Sequence, residues 1–473
     1  MHHFVGVDIG TGSVKAVVLG EAGESLSASS AGYPICSPHN GWAEQDPEDW
    51  WLQSRTVVDD VLRQAHMAPG DTVTVGFTGQ MHSMVLLDEN QNPVRPAILW
   101  ADHRAEEQVA AIHEVLPEIE AITGNPAMPA FTLPQLLWVR DHEPEQFADA
   151  KHVLVTKDWV RLRATGHLGT DWTDASGMAM LDNRTRQWSE RILTTFEIER
   201  SLLPDVSPPT QTVGELPQWA PPKGTATAVV GVGDQFAEAL ASGVVNPGDA
   251  TISLGTSATV LTVRDAPAVG TFCHAPRDRW LQLDSLHSGG MSLTWLEMLL
   301  APRGGVPELL AAAAAVAPGA DGLLFLPFLA GERGAGATAL PGAFVGLQRE
   351  HQRGHLVRAV LEGVALELRR LSSVHHIDAG RPIAVTGGGA RSDLWVRILA
   401  AVFDRQTRVS HRSAAFGAAL VAGVGAGHWA SYTEMPPAGH ATDPDAGAVT
   451  TYEDVFGRYL EAVSALKGLS TDA

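Results

Sequence analysis

A lone carboxylate, Asp234, stands in the stretch VVGVGDQFAEAL (229–240), where small and β-branched residues give way to helix formers. A second, Asp8, lies at the end of an apolar run just ahead of Gly10-Thr11-Gly12 in FVGVDIGTGSVK (4–15). An acid at a strand end can take the proton of an attacking hydroxyl, or it can simply cap the first turn of a helix. An acid before a Gly-Thr turn suits a hard divalent cation beside phosphate, although an ordinary turn has the same composition. Successive backbone N–H groups in such a turn form an anion-binding concavity that needs no lysine. These groups together suit phosphoryl transfer, in which a protein positions the reactants in line and neutralises charge on the transferred oxygens.

The elements that must hold these residues repeat along the chain. FVGVDIGTGSVKAVVLGEAGE (4–24) and DATISLGTSATVLTVRD (249–265) each read as a strand, a tight Gly-Thr turn and a second strand. A dinucleotide or P-loop motif is excluded at Gly10-x-Gly12, because the residues that follow, SVKAVVL, form a strand where both motifs require a helix. Further strand-then-glycine segments occur at 71–93 and 382–403, and in the latter Ser392 is placed to cap an amphipathic helix. The Pro-rich segment 204–224 reads as connecting structure. The expected organisation is therefore residues 1–225, residues 226–440, and a segment 441–473 with a closing helix over 453–469. Two α/β halves that each open with a Gly-Thr hairpin predict a bilobal nucleotide-binding fold with a central cleft.

Composition narrows the partners. The 473 residues are 45% hydrophobic and 18% charged, as in a globular protein of more than one domain. With 33 basic and 54 acidic residues the net charge of -21 repels nucleic acid and anionic membranes. Two cysteines, Cys36 and Cys273, point to a reducing compartment, and the opening MHHFVGVDIG goes straight into a strand. A cytoplasmic protein is expected. His351 and His355 sit four apart with no acid between them and read as a solvated helix face rather than a zinc site. A homodimer is the default assembly.

The order of VGVDIGTGSVKAVV, GFTGQMHSMVLLD, PAILWADHR, GVGDQFAEALASGVV, SLGTSATV, LPFLAGER and TGGGARSDLW resembles the FGGY family of carbohydrate kinases over the whole chain. That resemblance implies a two-domain actin-like, ribonuclease-H-like ATPase fold of the α/β class. It further implies ATP and Mg²⁺ as cofactors, with no nucleic-acid or membrane partner. Asp234 matches the catalytic base and Asp8 the acid that helps to hold Mg²⁺. Gln80, Met81, His82, Trp100, Asp234 and Gln235 fall at or beside sugar-binding positions, and Gln80-Met81-His82 implies phosphorylation of the C5 hydroxyl of D-xylulose. Thr11, Gly12 and Ser13 resemble the first phosphate loop, Gly255 and Thr256 the second, and Gly388, Gly389 and Ala390 the adenosine site.

The sequence also departs from the family pattern. Gln235, Phe236 and Glu238 follow Asp234, where related kinases carry Asn and small residues, and Glu238 brings a further negative charge one helical turn on. These changes keep a kinase for ribulose or an alditol open, and a non-catalytic actin-fold ATPase or sugar sensor is the reading from another class. Asp102 and Arg104 read as an ion pair or a rim of the sugar site, and Glu332 and Arg333 as braces of a loop. A helix N-terminus favours the charged form of Asp234, so an ionised weak base is expected.

Overall fold

A computed structural model describes residues 1–330, 340–435 and 439–467, so Glu332 and Arg333 lie outside the described residues. The chain forms two compact units. One comprises Met1–Val245, Asp265–Leu281 and Arg412–Pro436, and the other Asn246–Arg264, Gln282–His411 and Pro437–Ala473.

In the first unit, β1 (His2–Ile9), β2 (Ser13–Leu19), β3 (Ser25–Gly32), β4 (Thr72–Gly79), β5 (Thr212–Glu215) and β6 (Thr225–Val229) form a sheet in the order β5-β6-β4-β1-β2-β3. A short strand, β7 (Val232–Gly233), also pairs with β4. β1 and β2 are the first expected hairpin, antiparallel with Ile9 opposite Val14. β4 runs parallel to β1 on one edge and to β6 and β7 on the other. Strands flanked in this way are covered on both faces, which is why VGVDI and VTVGF read as nearly unbroken runs of small and apolar residues.

The helix Ala414–Gly425 lies against this sheet at backbone distance. A Cβ added at Gly6 of β1 would stand 1.8 Å from the Ala415 carbonyl oxygen, and one at Gly76 of β4 would stand 2.1 Å from that of Ala418. On the helix itself, a Cβ at Gly417 would stand 1.9 Å from the carbonyl oxygen of Ala237. Ala237 belongs to the helix that starts at Asp234, so this contact fixes how that helix sits on the sheet.

The expected connecting segment 204–224 proves to be part of this unit. It supplies β5, the edge strand antiparallel to β6, and the anticipated boundary near residue 225 falls between these two partners. Its prolines are tolerated because they lie outside the paired residues of an edge strand.

The second unit repeats the arrangement. β8 (Ala250–Leu254), β9 (Ala258–Arg264), β10 (Trp280–Leu286), β11 (Ile383–Thr386) and β12 (Thr407–Val409) follow the order β10-β9-β8-β11-β12. β8 and β9 are the second hairpin, with Leu254 opposite Ala258, and β8, β11 and β12 are parallel. Ser392 caps the following helix, Asp393–Phe403, by accepting from the Trp395 amide at 3.3 Å. The closing helix runs over Ala446–Lys467, starting earlier than the spacing suggested. His351 and His355 each accept a backbone amide at Nδ1 and turn Nε2 towards Asp321, a local brace consistent with a structural face.

The crowding at Gly417 gives a direct check. Gly417→Ala must push two backbones apart and is expected to lower stability by roughly 2–4 kcal/mol, read as a fall in the thermal unfolding midpoint. An unchanged midpoint would show that the helix is not seated by this contact.

Candidate active site

The parallel pairings carry both carboxylates to one end of the first unit's sheet. Asp8 and Val232 lie opposite the same residue of β4, Thr78, from its two sides. The next residues along β7 are Gly233 and Asp234, so Asp234 emerges at the C-terminal ends of the strands, where open α/β sheets place their ligands. Asp234 is the first residue of the helix Asp234–Ala241, with Gly233 in the capping position, so it is not the N-cap. Its Oδ1 nevertheless accepts from the Gln235 amide at 2.8 Å.

The electrostatics oppose the expectation of an ordinarily ionised acid. Burial pushes the Asp234 carboxyl well above the usual carboxylate range, the charges of Asp8, Asp174 and Glu238 push the same way, and the Gln235 amide opposes them. The helix terminus is a weaker influence than desolvation among like charges. Burial likewise raises Asp8 to about 6, with Lys15 opposing and Glu238 reinforcing the shift. No hydrogen bond or ion pair satisfies the Asp8 carboxylate among the described residues.

Met81 and His82 follow β4 after Gln80. A Cβ at Gly233 would stand 3.0 Å from Met81 Cγ and 3.1 Å from Asp174 Oδ1, so Met81 lies against the residue before Asp234. His82 adopts a left-handed backbone, φ 68°, which a histidine takes only at a cost. Its Nδ1 donates to the Gly177 carbonyl at 2.7 Å and its ring lies 4.7 Å from that of Phe131, which together set its tautomer and orientation. Gln235 is partly exposed beside Asp234, whereas Phe236 is buried in a cluster with Phe272 and His274. The departure from the family pattern at Phe236 is therefore a matter of core packing.

Gln80 is buried and points inward. Its Nε2 donates to Gln45 Oε1 at 3.0 Å, and Gln45 Nε2 donates to the Thr11 carbonyl at 2.7 Å. Trp100 Nε1 donates to Thr11 Oγ1 at 3.0 Å, while Tyr33 OH donates to the Gly10 carbonyl. The first Gly-Thr turn, with Gly12 exposed and Thr11 and Ser13 partly so, is thus held from behind by three side chains. Gln45 and Tyr33 lie 34 and 23 residues, respectively, from the turn groups they hold, and no sequence motif marked them. Asp102 and Arg104 form a buried fork-to-fork ion pair, with Asp102 accepting from the Arg104 Nε and Nη2 at 2.9 and 2.7 Å.

In the second unit, Gly255 and Thr256 form the turn between β8 and β9, and their carbonyls accept the Gly290 and Met291 amides at 2.8 and 3.0 Å. The loop after β11 comes close to the same place. A Cβ at Gly389 would stand 2.7 Å from Leu254 Cβ, while Gly388 faces open space and Ala390 is buried. Candidate residues of the two units are thus each gathered at the ends of their own sheet.

A duplicated sheet with a Gly-Thr hairpin in each copy and acids at the strand ends defines a phosphotransferase of the actin-like ATPase class. Residues 3–241 match the N-terminal domain of the FGGY family of carbohydrate kinases and residues 250–426 the C-terminal domain, and the chain belongs to this family. It is 38% identical over 451 residues to the xylulose kinase of Escherichia coli (strain K12), covering 92% of each chain. A gluconokinase of Bacillus licheniformis is 29% identical over 496 residues, covering 98% of this chain and 96% of that one. Among solved structures, a kinase of Brucella ovis titled a xyloylose kinase superposes with a TM-score of 0.91 at 31% identity, covering 99% and 100% of the two chains.

The raised Asp8 carboxyl makes stability depend on pH. The unfolded chain ionises this group near pH 4 and the folded protein only near 6, so its contribution is full below about pH 4 and is lost as pH rises through about 6. Ligand-free protein is expected to lose roughly 3 kcal/mol of stability through this group. Asp8→Asn should flatten that decline between about pH 4.5 and pH 7 in thermal unfolding. A variant whose pH profile overlays that of the parent would exclude the buried charge as its source.

Proposed function

We propose that the chain transfers the γ-phosphoryl group of ATP to the C5 hydroxyl of D-xylulose, giving D-xylulose 5-phosphate and ADP. The observation that carries this reading is the gathering of Asp234, Asp8, Met81 and His82 at the strand ends of one sheet. It is supported by whole-chain similarity to proteins named xylulose kinase. The sugar hydroxyl oxygen attacks the γ-phosphorus, the bond from that phosphorus to the bridging oxygen breaks, and the hydroxyl proton passes to Asp234. Burial raises the proton affinity of Asp234 in the ligand-free protein, and positive charge brought in with the bound reactants would oppose that shift and so ready the base.

Met81 and the oriented ring of His82 contact the sugar, and Gln235 reaches a hydroxyl beside the base. Thr11, Gly12 and Ser13 receive phosphate at the first turn, Gly255 and Thr256 at the second, and Gly388, Gly389 and Ala390 the adenosine. Trp100 and Gln80 serve through Thr11 and Gln45, holding the first turn in shape. A buried carboxylate with no hydrogen-bond or ion-pair partner among the described residues fits a hard cation, and Asp8 is the residue that would hold Mg²⁺. No group of three acid, His or Cys side chains converges for a metal among the described residues. Bound there, Mg²⁺ would neutralise charge on the transferred phosphoryl group.

Cytoplasmic residence and a homodimer belong to the same proposal. No described helix is long and apolar enough to cross a membrane, and both cysteines are free. A second reading, a kinase for another ketose, a polyol or a sugar acid, is favoured by Gln235 and Glu238 and by the gluconokinase relative.

ADP release with Mg-ATP should be strong on D-xylulose and weak on D-ribulose, L-ribulose, glycerol, xylitol and D-gluconate. Preference for one of the others would replace the substrate. Asp234→Asn should lower turnover by about a thousandfold while D-xylulose binding, measured by calorimetry, stays within a few-fold. Near-parental turnover in that variant would sink the base assignment.

A further inference from the structure

Two fully buried cations lie behind the site on α1 (Thr156–Thr165), whose residues Lys157 and Arg161 have no side-chain exposure. Neither belongs to the sugar, phosphate or metal positions above. Lys157 Nζ lies 2.6 Å from Asp158 Oδ1, 2.8 Å from Asp171 Oδ1 and 3.0 Å from Asp174 Oδ2. Arg161 Nη1 donates to Asp158 Oδ1 at 2.9 Å and to the Val230 carbonyl at 2.6 Å, and its Nη2 donates to the Gly169 carbonyl. Burying this many charges costs several kcal/mol per ion unless the geometry recovers it, so a network of this kind is poor value as a plain stabiliser.

Its contacts show where the network leads. Asp171 Oδ2 accepts both the amide of Thr173, at 2.6 Å, and its hydroxyl, at 2.5 Å. Thr173 Oγ1 in turn accepts the Gly233 amide at 2.9 Å. The segment 230–233 that delivers Asp234 is therefore held at both ends: at Val230 by Arg161, and at Gly233 through Thr173, Asp171 and Lys157.

We propose that Lys157, Arg161 and Thr173 are positioning residues that fix where the Asp234 carboxylate sits relative to the attacking hydroxyl. This rests on reading Asp234 as the base. A base must be within hydrogen-bond reach of the proton it takes, and a displacement of about 1 Å is enough to cost on the order of a hundredfold in rate. The hydroxyl of Thr173 is the hinge of the arrangement, because it accepts the hydrogen bond of the backbone amide immediately before Asp234. Asp174 completes the wall. Its Oδ1 stands 3.1 Å from where a Cβ on Gly233 would lie, so this residue also leaves no room for a side chain at that position.

The test compares Thr173→Val, Thr173→Ser and Asp234→Asn in steady-state kinetics with D-xylulose and Mg-ATP, alongside thermal unfolding of each. Thr173→Val should lower kcat at least about tenfold with both KM values within about twofold, and Thr173→Ser, which restores the hydroxyl, should return kcat to within about twofold of the parent. Folded Thr173→Val with parental kcat, or a loss that Thr173→Ser fails to repair, overturns the positioning role while an inactive Asp234→Asn leaves the base in place. An active Asp234→Asn overturns the base reading and this proposal with it. If Thr173→Val does not fold, Arg161→Lys supplies the same comparison at Val230: a lowered kcat with unchanged KM supports the proposal, and an unchanged kcat overturns it.

Discussion

β4 is paired on both edges by parallel strands, and the site of the first unit depends on that pairing. Parallel neighbours deliver their C-terminal ends to the same side of a sheet, so β1 and β7 must release Asp8 and Asp234 together, across Thr78 and Gly79. The small residues of these strands serve the same end. Gly6 and Gly76 let the helix Ala414–Gly425 lie on the sheet at backbone distance, and Gly417 lets it meet the helix that carries Asp234. Very little of this first unit can shift without moving the acids.

That geometry brings together charges that repel. Burial raises the proton affinity of Asp234 and of Asp8; the charges of Asp8, Asp174 and Glu238 add to it at Asp234, and that of Glu238 adds to it at Asp8. In the ligand-free protein the carboxylates are therefore held in their least favourable setting for ionisation, a strain that a cation and the reactants are suited to relieve. Lys157 and Arg161 offset part of the repulsion from behind, through Asp158, Asp171 and Asp174.

Several of the candidate side chains make contacts that hold the frame. Gln80 faces Gln45 and not outward, Trp100 holds Thr11, Asp102 and Arg104 clasp each other, and Phe236 fills an aromatic core. The opposite also occurs. Lys157, Asp171 and Thr173 carried no recognisable motif, yet they reach the residue next to Asp234. Spacing along a chain reports periodicity within an element, whereas these roles arise between elements separated by dozens of residues.

The sequence by itself determined the repeated Gly-Thr hairpins, the cap at Ser392, the strand that stops at Asp234 and the membership of the chain in a kinase family, because each rests on short-range pattern. It read the segment 204–224 as connecting structure, since a short edge strand flanked by prolines has no periodicity to detect until its partner β6 is in place. It also expected Asp234 to be ionised from its place at a helix start. Only the tertiary structure reveals the opposing influence, because the proton affinity of an acid follows from its desolvation and from the charges beside it, and here Asp8 and Asp174 come from other elements while Glu238 lies on the helix of Asp234 itself.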